Sequence, residues 1–239
     1  MTELIYQKDS YVRKFEATVI DIIENGIVLD RTAFHPRSGG VANDTGYIEK
    51  EGVRLRVVDV FMDKSTRRVV HVVEGDVGEL HVGDKVRGII DWDRRYRLMR
   101  LHTAAHILSA IMYRDYGALI TGGNIYPDYA YDDYSLEVFD RKIFEDVIAK
   151  ANTIVKQGLE VKIYWLKREE ALKIPGIVKL ASRMPPEIDK LRIVEIPGVD
   201  IQADGGPHVR NTREIGEIIL LKVENKGRKR KRMYYTVKP

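Results

Sequence analysis

The sequence predicts an α+β protein: a small β-barrel over residues 1–92, followed by a domain of antiparallel strands and helices over residues 93–239. Three observations lead there. The first part holds short β-rich runs punctuated by glycine-containing turns. The hydrophobic period then switches to that of a helix at Asp93, and strand-like runs return after a second helical segment.

Residues 15–23 alternate and stop at Glu24-Asn25-Gly26, an asparagine–glycine hairpin signal. Residues 27–29 then lead toward the loop Pro36-Arg37-Ser38-Gly39-Gly40. Further β-rich runs cover 53–61, 68–73 and 85–92, with turns at Gly75-Asp76 and Gly83-Asp84, a spacing that suits a small barrel. Asp93 suits an N-cap, and Tyr96, Leu98, Leu101, Ala105, Leu108 and Met112 follow at helical spacing up to Gly117. A second helix is expected over Arg141–Gln157, capped by Asp140 and stopped by Gly158, with an apolar stripe running from Ile143 to Val155. Strands are expected again at 160–164, 191–196, 217–223 and 233–237.

A chain of 239 residues can bury its own core without a disulfide or metal staple. Hydrophobic residues at 44% and charged residues at 32% describe a globular protein rather than a disordered or membrane one. No apolar run approaches the roughly 20 residues that span a bilayer, and the N-terminus lacks a signal-peptide core, so an intracellular, cytoplasmic protein without a membrane partner is expected. There is no cysteine, which excludes disulfides, cysteine zinc fingers and thiol nucleophiles. Any metal must therefore be held by histidine, carboxylate or backbone oxygen. A net charge of +4 suits an anionic partner without requiring one.

Of the six histidines, two form His102-Thr103-Ala104-Ala105-His106. Residues four apart lie on one helical face, so both imidazoles would reach one ion; the alternative is one buried, hydrogen-bonded histidine and one exposed. A metalloprotease needs glutamate directly after the first histidine, and Thr103 stands there instead. The second segment is Asp200-Ile201-Gln202-Ala203-Asp204-Gly205-Gly206-Pro207-His208. Its glycine pair would permit a tight turn that brings Asp204 and His208 together, completing a three-histidine, one-aspartate set of the kind zinc accepts. The alternative is a glycine-rich connection that His208 merely caps.

These segments are accompanied by Phe34-His35-Pro36, Gly39-Gly40, Asp44-Thr45-Gly46, Arg94-Arg95, Val209-Arg210-Asn211-Thr212 and Ile215-Gly216. Together they resemble the editing domain of alanyl-tRNA synthetases and its free-standing relatives, the AlaX family, above all the medium-length type. The likeness covers nearly the whole chain. It implies an N-terminal barrel similar to domain II of translation elongation factors, then a zinc-containing tRNA-editing deacylase domain. One Zn2+ per chain would sit on His102, His106 and His208. The family's Cys-Gly-Gly-Thr-His loop reads Asp204-Gly205-Gly206-Pro207-His208 here, so the fourth donor is Asp204, Gln202 or a water.

The resemblance implies hydrolysis of the ester that joins a wrong amino acid, serine first and glycine second, to tRNA(Ala). Serine adds only a hydroxyl to alanine, which a pocket built for alanine rejects weakly, so a second hydrolytic site is useful. Thr121, by likeness to the family's pocket threonine, and then Thr103 are the expected catalytic-site hydroxyls, with Asp204 beside them. Gly39 and Gly40 match a glycine-rich loop, although Val41 follows where the family more often has glycine. Arg210 and the cations Arg228, Lys229, Arg230 and Lys231, within the basic run 226–232, are expected to hold the acceptor end of the tRNA. Tyr126, Tyr129, Tyr131 and Tyr134 would either stack a base or pack between strands. Two other readings stay open: a zinc hydrolase of a small ester or amide, and a non-catalytic tRNA-binding module with structural zinc.

Overall fold

A computed structural model describes residues 2–175, 177 and 188–239. The chain divides into two compact units, Met1–Leu98 and Met99–Pro239. The first contains β1 (Glu3–Leu4), α1 (Ile5–Lys8), β2 (Lys14–Ile23), β3 (Gly26–Leu29), β4 (Arg31–Thr32), β5 (Gly46–Lys50), β6 (Val53–Met62), β7 (Val69–Val73) and β8 (Lys85–Ile90). Strands β2-β3-β7-β6-β5-β8 close into an antiparallel barrel, and β1 pairs in parallel with β4. Inward alternation on β2 places Phe15, Ala17 and Val19 in the core beside Ile27, Phe34, Ile48, Val60 and Val86.

The hairpin expected at Asn25-Gly26 is present but displaced by one residue. Ile23 pairs with Gly26, so Glu24 and Asn25 form the two-residue loop and Glu24 takes the left-handed backbone (φ 55°). Strand β5 was not expected; it is five residues long, opens on glycine and closes on Glu49-Lys50, too short a run to show its period.

Two polar residues are built into the first unit's interior. Asp44, of the Asp-Thr-Gly motif, and Arg95, of the Arg-Arg pair, are both fully buried and form an ion pair. The Arg95 Nε donates to both Asp44 oxygens at 2.9 and 3.0 Å, and its Nη1 donates to the Ser10 carbonyl at 2.9 Å. Two motif residues that carried the family likeness are thus structural braces. His71 is also fully buried: its Nδ1 donates to the Ile27 carbonyl at 2.9 Å, and its Nε2 accepts from the Thr32 hydroxyl at 2.8 Å. Burial pushes this imidazole down to about 4.

Helix α2 (Trp92–Tyr116) runs from the first unit into the second. Its cap is Asp91 rather than Asp93: the Asp91 carboxylate accepts from the Arg94 N–H at 3.4 Å, and Asp93 lies within the first turn. The second unit continues with β9 (Ile120–Ile125), β10 (Ala130–Tyr134), α3 (Arg141–Gln157), β11 (Lys162–Lys167), α4 (Arg168–Ala171), β12 (Lys190–Ile196), β13 (Asp200–Ala203), β14 (Glu217–Asn225) and β15 (Lys231–Lys238). The order β14-β15-β10-β9 makes one antiparallel sheet and β11-β12-β13 another.

Helix α3 has the expected bounds. The Asp140 carboxylate accepts from Lys142 N–H at 2.9 Å, and Gly158 ends it in the left-handed region. The strand expected at 160–164 begins two residues later, at Lys162, while Glu160 only bridges Asn211. Among the described residues no helix is long and apolar enough to cross a membrane.

Truncating one partner of a buried ion pair strands the other charge, so Asp44→Ala is expected to lower unfolding stability by about 3–5 kcal/mol in denaturant titration. The unfolded chain binds a proton to His71 near pH 6.5 but the folded chain only near 4, so the stability gained from the neutral ring is complete above pH 6.5 and is lost as pH falls toward 4. Denaturant midpoints should fall across that window by an amount equivalent to about 3 kcal/mol, and the fall should shrink in His71→Asn.

Candidate metal centre

His102 and His106 sit one turn apart on α2, and the chain leaving β13 returns Asp204 and His208 to the same point. One donor atom from each of the four lies within 4.8 Å of every other. The ring centroids of His102 and His208 are 4.1 Å apart, and those of His106 and His208 are 4.6 Å apart.

The second layer explains why these rings face one another. His102 Nδ1 donates to the Pro207 carbonyl at 3.3 Å, and His106 Nδ1 donates to Asp200 Oδ2 at 2.9 Å. The Thr103 hydroxyl gives its proton to the Met99 carbonyl at 2.9 Å, so at 3.1 Å it must accept from His208 Nδ1. Every Nδ1 is thereby a donor, and every Nε2 keeps its lone pair. Three such lone pairs, with a carboxylate, form a metal-ligating set.

The spacing fits one ion. A tetrahedron with arms of about 2.0–2.1 Å has edges of about 3.4 Å; Asp204 oxygens lie 3.2 Å from His208 Nε2 and 3.5 Å from His102 Nε2. Burial alone would push the Asp204 carboxyl up, but the adjoining His102 and His208 outweigh it and hold the group well below the usual range. Burial, more than any neighbour, pushes His208 well down, which favours the neutral ring.

The loop geometry differs from expectation in one respect. Neither Gly205 nor Gly206 adopts a positive φ. What Gly206 provides is room: a Cβ there would lie 2.6 Å from His102 Cε1. The Asp204 carboxylate is fixed by accepting from the Gly206 N–H at 2.7 Å, and its carbonyl accepts from Arg192 Nη1 at 2.8 Å.

Two family descriptions match the chain: tRNA synthetases class II (A) over residues 5–94, and the threonyl and alanyl tRNA synthetase second additional domain over residues 191–234. The alanyl-tRNA editing protein AlaX-M of Saccharolobus solfataricus is 58% identical, with 100% of both chains covered. The AlaX-M protein of Methanosarcina barkeri is 42% identical over 99% of each. This chain belongs to the AlaX-M family. An alanine–tRNA ligase of Saccharolobus islandicus is 36% identical over 93% of the chain, which spans 25% of that larger protein.

Against that family pattern, other expected site residues fall into different places. Thr103 is fully buried with its hydroxyl committed to Met99 and His208, so it orients a ligand rather than meeting a substrate. Thr121 is exposed at a bulge in the edge strand β9, its hydroxyl donating to the Asp133 carbonyl at 3.3 Å. Gln202 donates to Asp200 at 2.9 Å and so stands behind His106. Gly39 and Gly40 lie in the first unit, between Ser38 and Val41, which form an isolated bridge.

Arg210 is exposed two residues past His208, and Arg228, Lys229 and Arg230 are exposed at the β14–β15 turn. Lys231 is not available to a phosphate: it is 1% exposed, and its ammonium donates to the Gly227 and Arg228 carbonyls at 2.7 and 3.0 Å. Of the tyrosines, Tyr134 is fully buried. The Arg232 guanidinium, which pairs with Asp133, lies 3.8 Å over the Tyr131 ring and 5.8 Å from that of Tyr234, and Tyr126 and Tyr129 remain exposed. Sequence reasoning missed Asp200; its position four residues before Asp204 was the only available signal.

Removing a group behind a metal ligand commonly weakens metal binding 10–100-fold. Thr103→Val, nearly isosteric, should lower affinity for the ion about that much in a competition titration against a chromophoric chelator, with the circular dichroism spectrum unchanged.

Proposed function

We propose that this chain is a zinc-dependent hydrolase that releases serine from mischarged tRNA(Ala). Membership of the AlaX-M family makes it an alanyl-tRNA editing enzyme; serine as the preferred amino acid and zinc, one per chain, as the ion are our reading. The observation that carries it is the convergence of three imidazole Nε2 atoms and the Asp204 carboxylate in one cluster. An all-nitrogen-and-oxygen set of this size suits zinc. Zinc bound there supplies Lewis-acid polarisation of the ester carbonyl.

The residues of the chain do the rest. The three histidines are buried, while the Asp204 side chain is 25% exposed, so the approach to the cluster lies on its side. The aminoacyl ester enters there, and Asp204 is the carboxylate nearest the attacking water. Thr121 keeps free lone pairs on its hydroxyl and is our choice for receiving the seryl hydroxyl; alanine leaves that contact unmade. Glycine is the second substrate under this reading. Arg210 and the cations Arg228, Lys229 and Arg230 hold the acceptor end, each phosphate contact adding salt dependence. Such an enzyme works in the cytoplasm, where charged tRNA is made.

One observation favours a different reading. Four protein donors fill a tetrahedron, which is the form of a structural metal site. A tRNA-binding module with structural zinc would have that arrangement.

Single-turnover deacylation of seryl- and alanyl-tRNA(Ala) separates the readings. Seryl-tRNA should be cleared at least about tenfold faster, the order of selectivity one hydroxyl supports. Chelation or His102→Ala should abolish release. Equal rates, or turnover that survives chelation, would overturn the proposal; tight tRNA binding with no turnover would establish the binding module.

A further inference from the structure

One buried carboxylate in the second unit has no part in the scheme above. Asp132 lies in the middle of β10 and is 5% exposed. Alternation on β10 places it on the same face as Ala130 and Tyr134, the buried face of the sheet, where β15 contributes Met233, Tyr235 and Val237. Its Oδ2 accepts from the Tyr235 hydroxyl at 2.8 Å and from the Tyr134 hydroxyl at 3.4 Å. Its Oδ1 accepts no hydrogen bond from any described residue. The nearest ionisable groups are Asp133, on the opposite face and paired with Arg232, and His106 of the cluster, which is close enough for its charge to act on Asp132.

Glycine on the neighbouring strand lets Oδ1 lie close to its backbone. Gly123 of the edge strand β9 is registered opposite Asp132, and a Cβ at Gly123 would lie 2.5 Å from Oδ1. The arrangement is a buried carboxylate with one oxygen held by two tyrosines and the other accepting from no described donor, within electrostatic reach of His106.

We propose that Asp132 Oδ1 binds the α-ammonium of the aminoacyl group, while the ester carbonyl lies at the histidine cluster. This rests on the aminoacyl-ester reading above and adds what it lacks, a group that recognises an amino acid as such. Burial raises the Asp132 carboxyl to about 7, and a cation bound in contact favours its charged form; an ammonium offers three donors where a hydroxyl offers one. Charge-assisted hydrogen bonds are about twice as strong as neutral ones. The contact does not separate serine from alanine, since both carry the ammonium. It separates aminoacyl esters from hydroxyacyl esters, and so leaves serine selection to Thr121.

Binding measures this without turnover. The probes are 3′-seryl-amido-3′-deoxyadenosine, which cannot be hydrolysed as an ester, and its glyceryl counterpart, in which a hydroxyl replaces the amine. Calorimetry on the zinc-loaded full chain should show the seryl probe bound about 30-fold more tightly, the order a charged hydrogen bond supports. Asp132→Asn should erase that preference by weakening the seryl probe alone, with zinc content and melting temperature unchanged. Wild-type protein that binds both probes equally, or Asp132→Asn that keeps the preference, overturns the proposal. Should Asp132→Asn fail to fold, the wild-type comparison still decides. A chain that prefers the seryl probe yet never deacylates seryl-tRNA would keep this inference and lose the functional reading.

Discussion

Everything at the metal centre depends on where three imidazole protons sit. An imidazole with both nitrogens uncommitted can turn either edge to an ion, and three such rings would have many arrangements of similar energy. Here the Pro207 carbonyl, the Asp200 carboxylate and the Thr103 hydroxyl each claim one Nδ1–H. The three Nε2 atoms are left with one direction to face. That constraint explains features that otherwise look unrelated: threonine directly after the first histidine, aspartate at the head of β13, and a glycine where His102 lies against the returning loop.

Much of this was legible in the sequence, and the limits of legibility have physical causes. A spacing of four on a helix is a local property, so His102 and His106 could be placed on one face from the sequence alone, as could α3 with its Asp140 cap and Gly158 stop. Roles that arise only when distant segments meet were not legible. Thr103 reads as an ordinary helix residue until His208 arrives 105 positions later to donate to it. Lys231 reads as one more cation in a basic run until the hairpin folds its ammonium back onto two carbonyls. Strands β9 and β10, with their glycines and adjacent aspartates, have weak intrinsic preference for extended structure; pairing of β10 with β15, and of β9 with β10, holds them there.

Motif residues divide between chemistry and architecture. Asp44 and Arg95 helped to carry the family likeness, yet they serve as a buried pair within the first unit. The aromatic and basic residues show the same division on one sheet. One of its faces has Arg232 stacked over Tyr131 and neutralised by Asp133. Its inner face carries Asp132, held by two tyrosines. Adjacent aspartates on one strand thus have opposite surroundings, because successive side chains of a strand point to opposite faces.

Asp204 stands where the family's loop motif has cysteine, and that exchange reaches beyond geometry. Both side chains bring one negative charge, so the net charge of the ligand set is unchanged. A thiolate, however, is a soft donor open to oxidation by peroxide and to capture by copper(I), whereas a carboxylate is a hard donor with neither weakness. Under the proposed zinc reading, with Asp204 as a donor, the set contains no sulfur and should keep its donors intact under peroxide stress that inactivates a thiolate site.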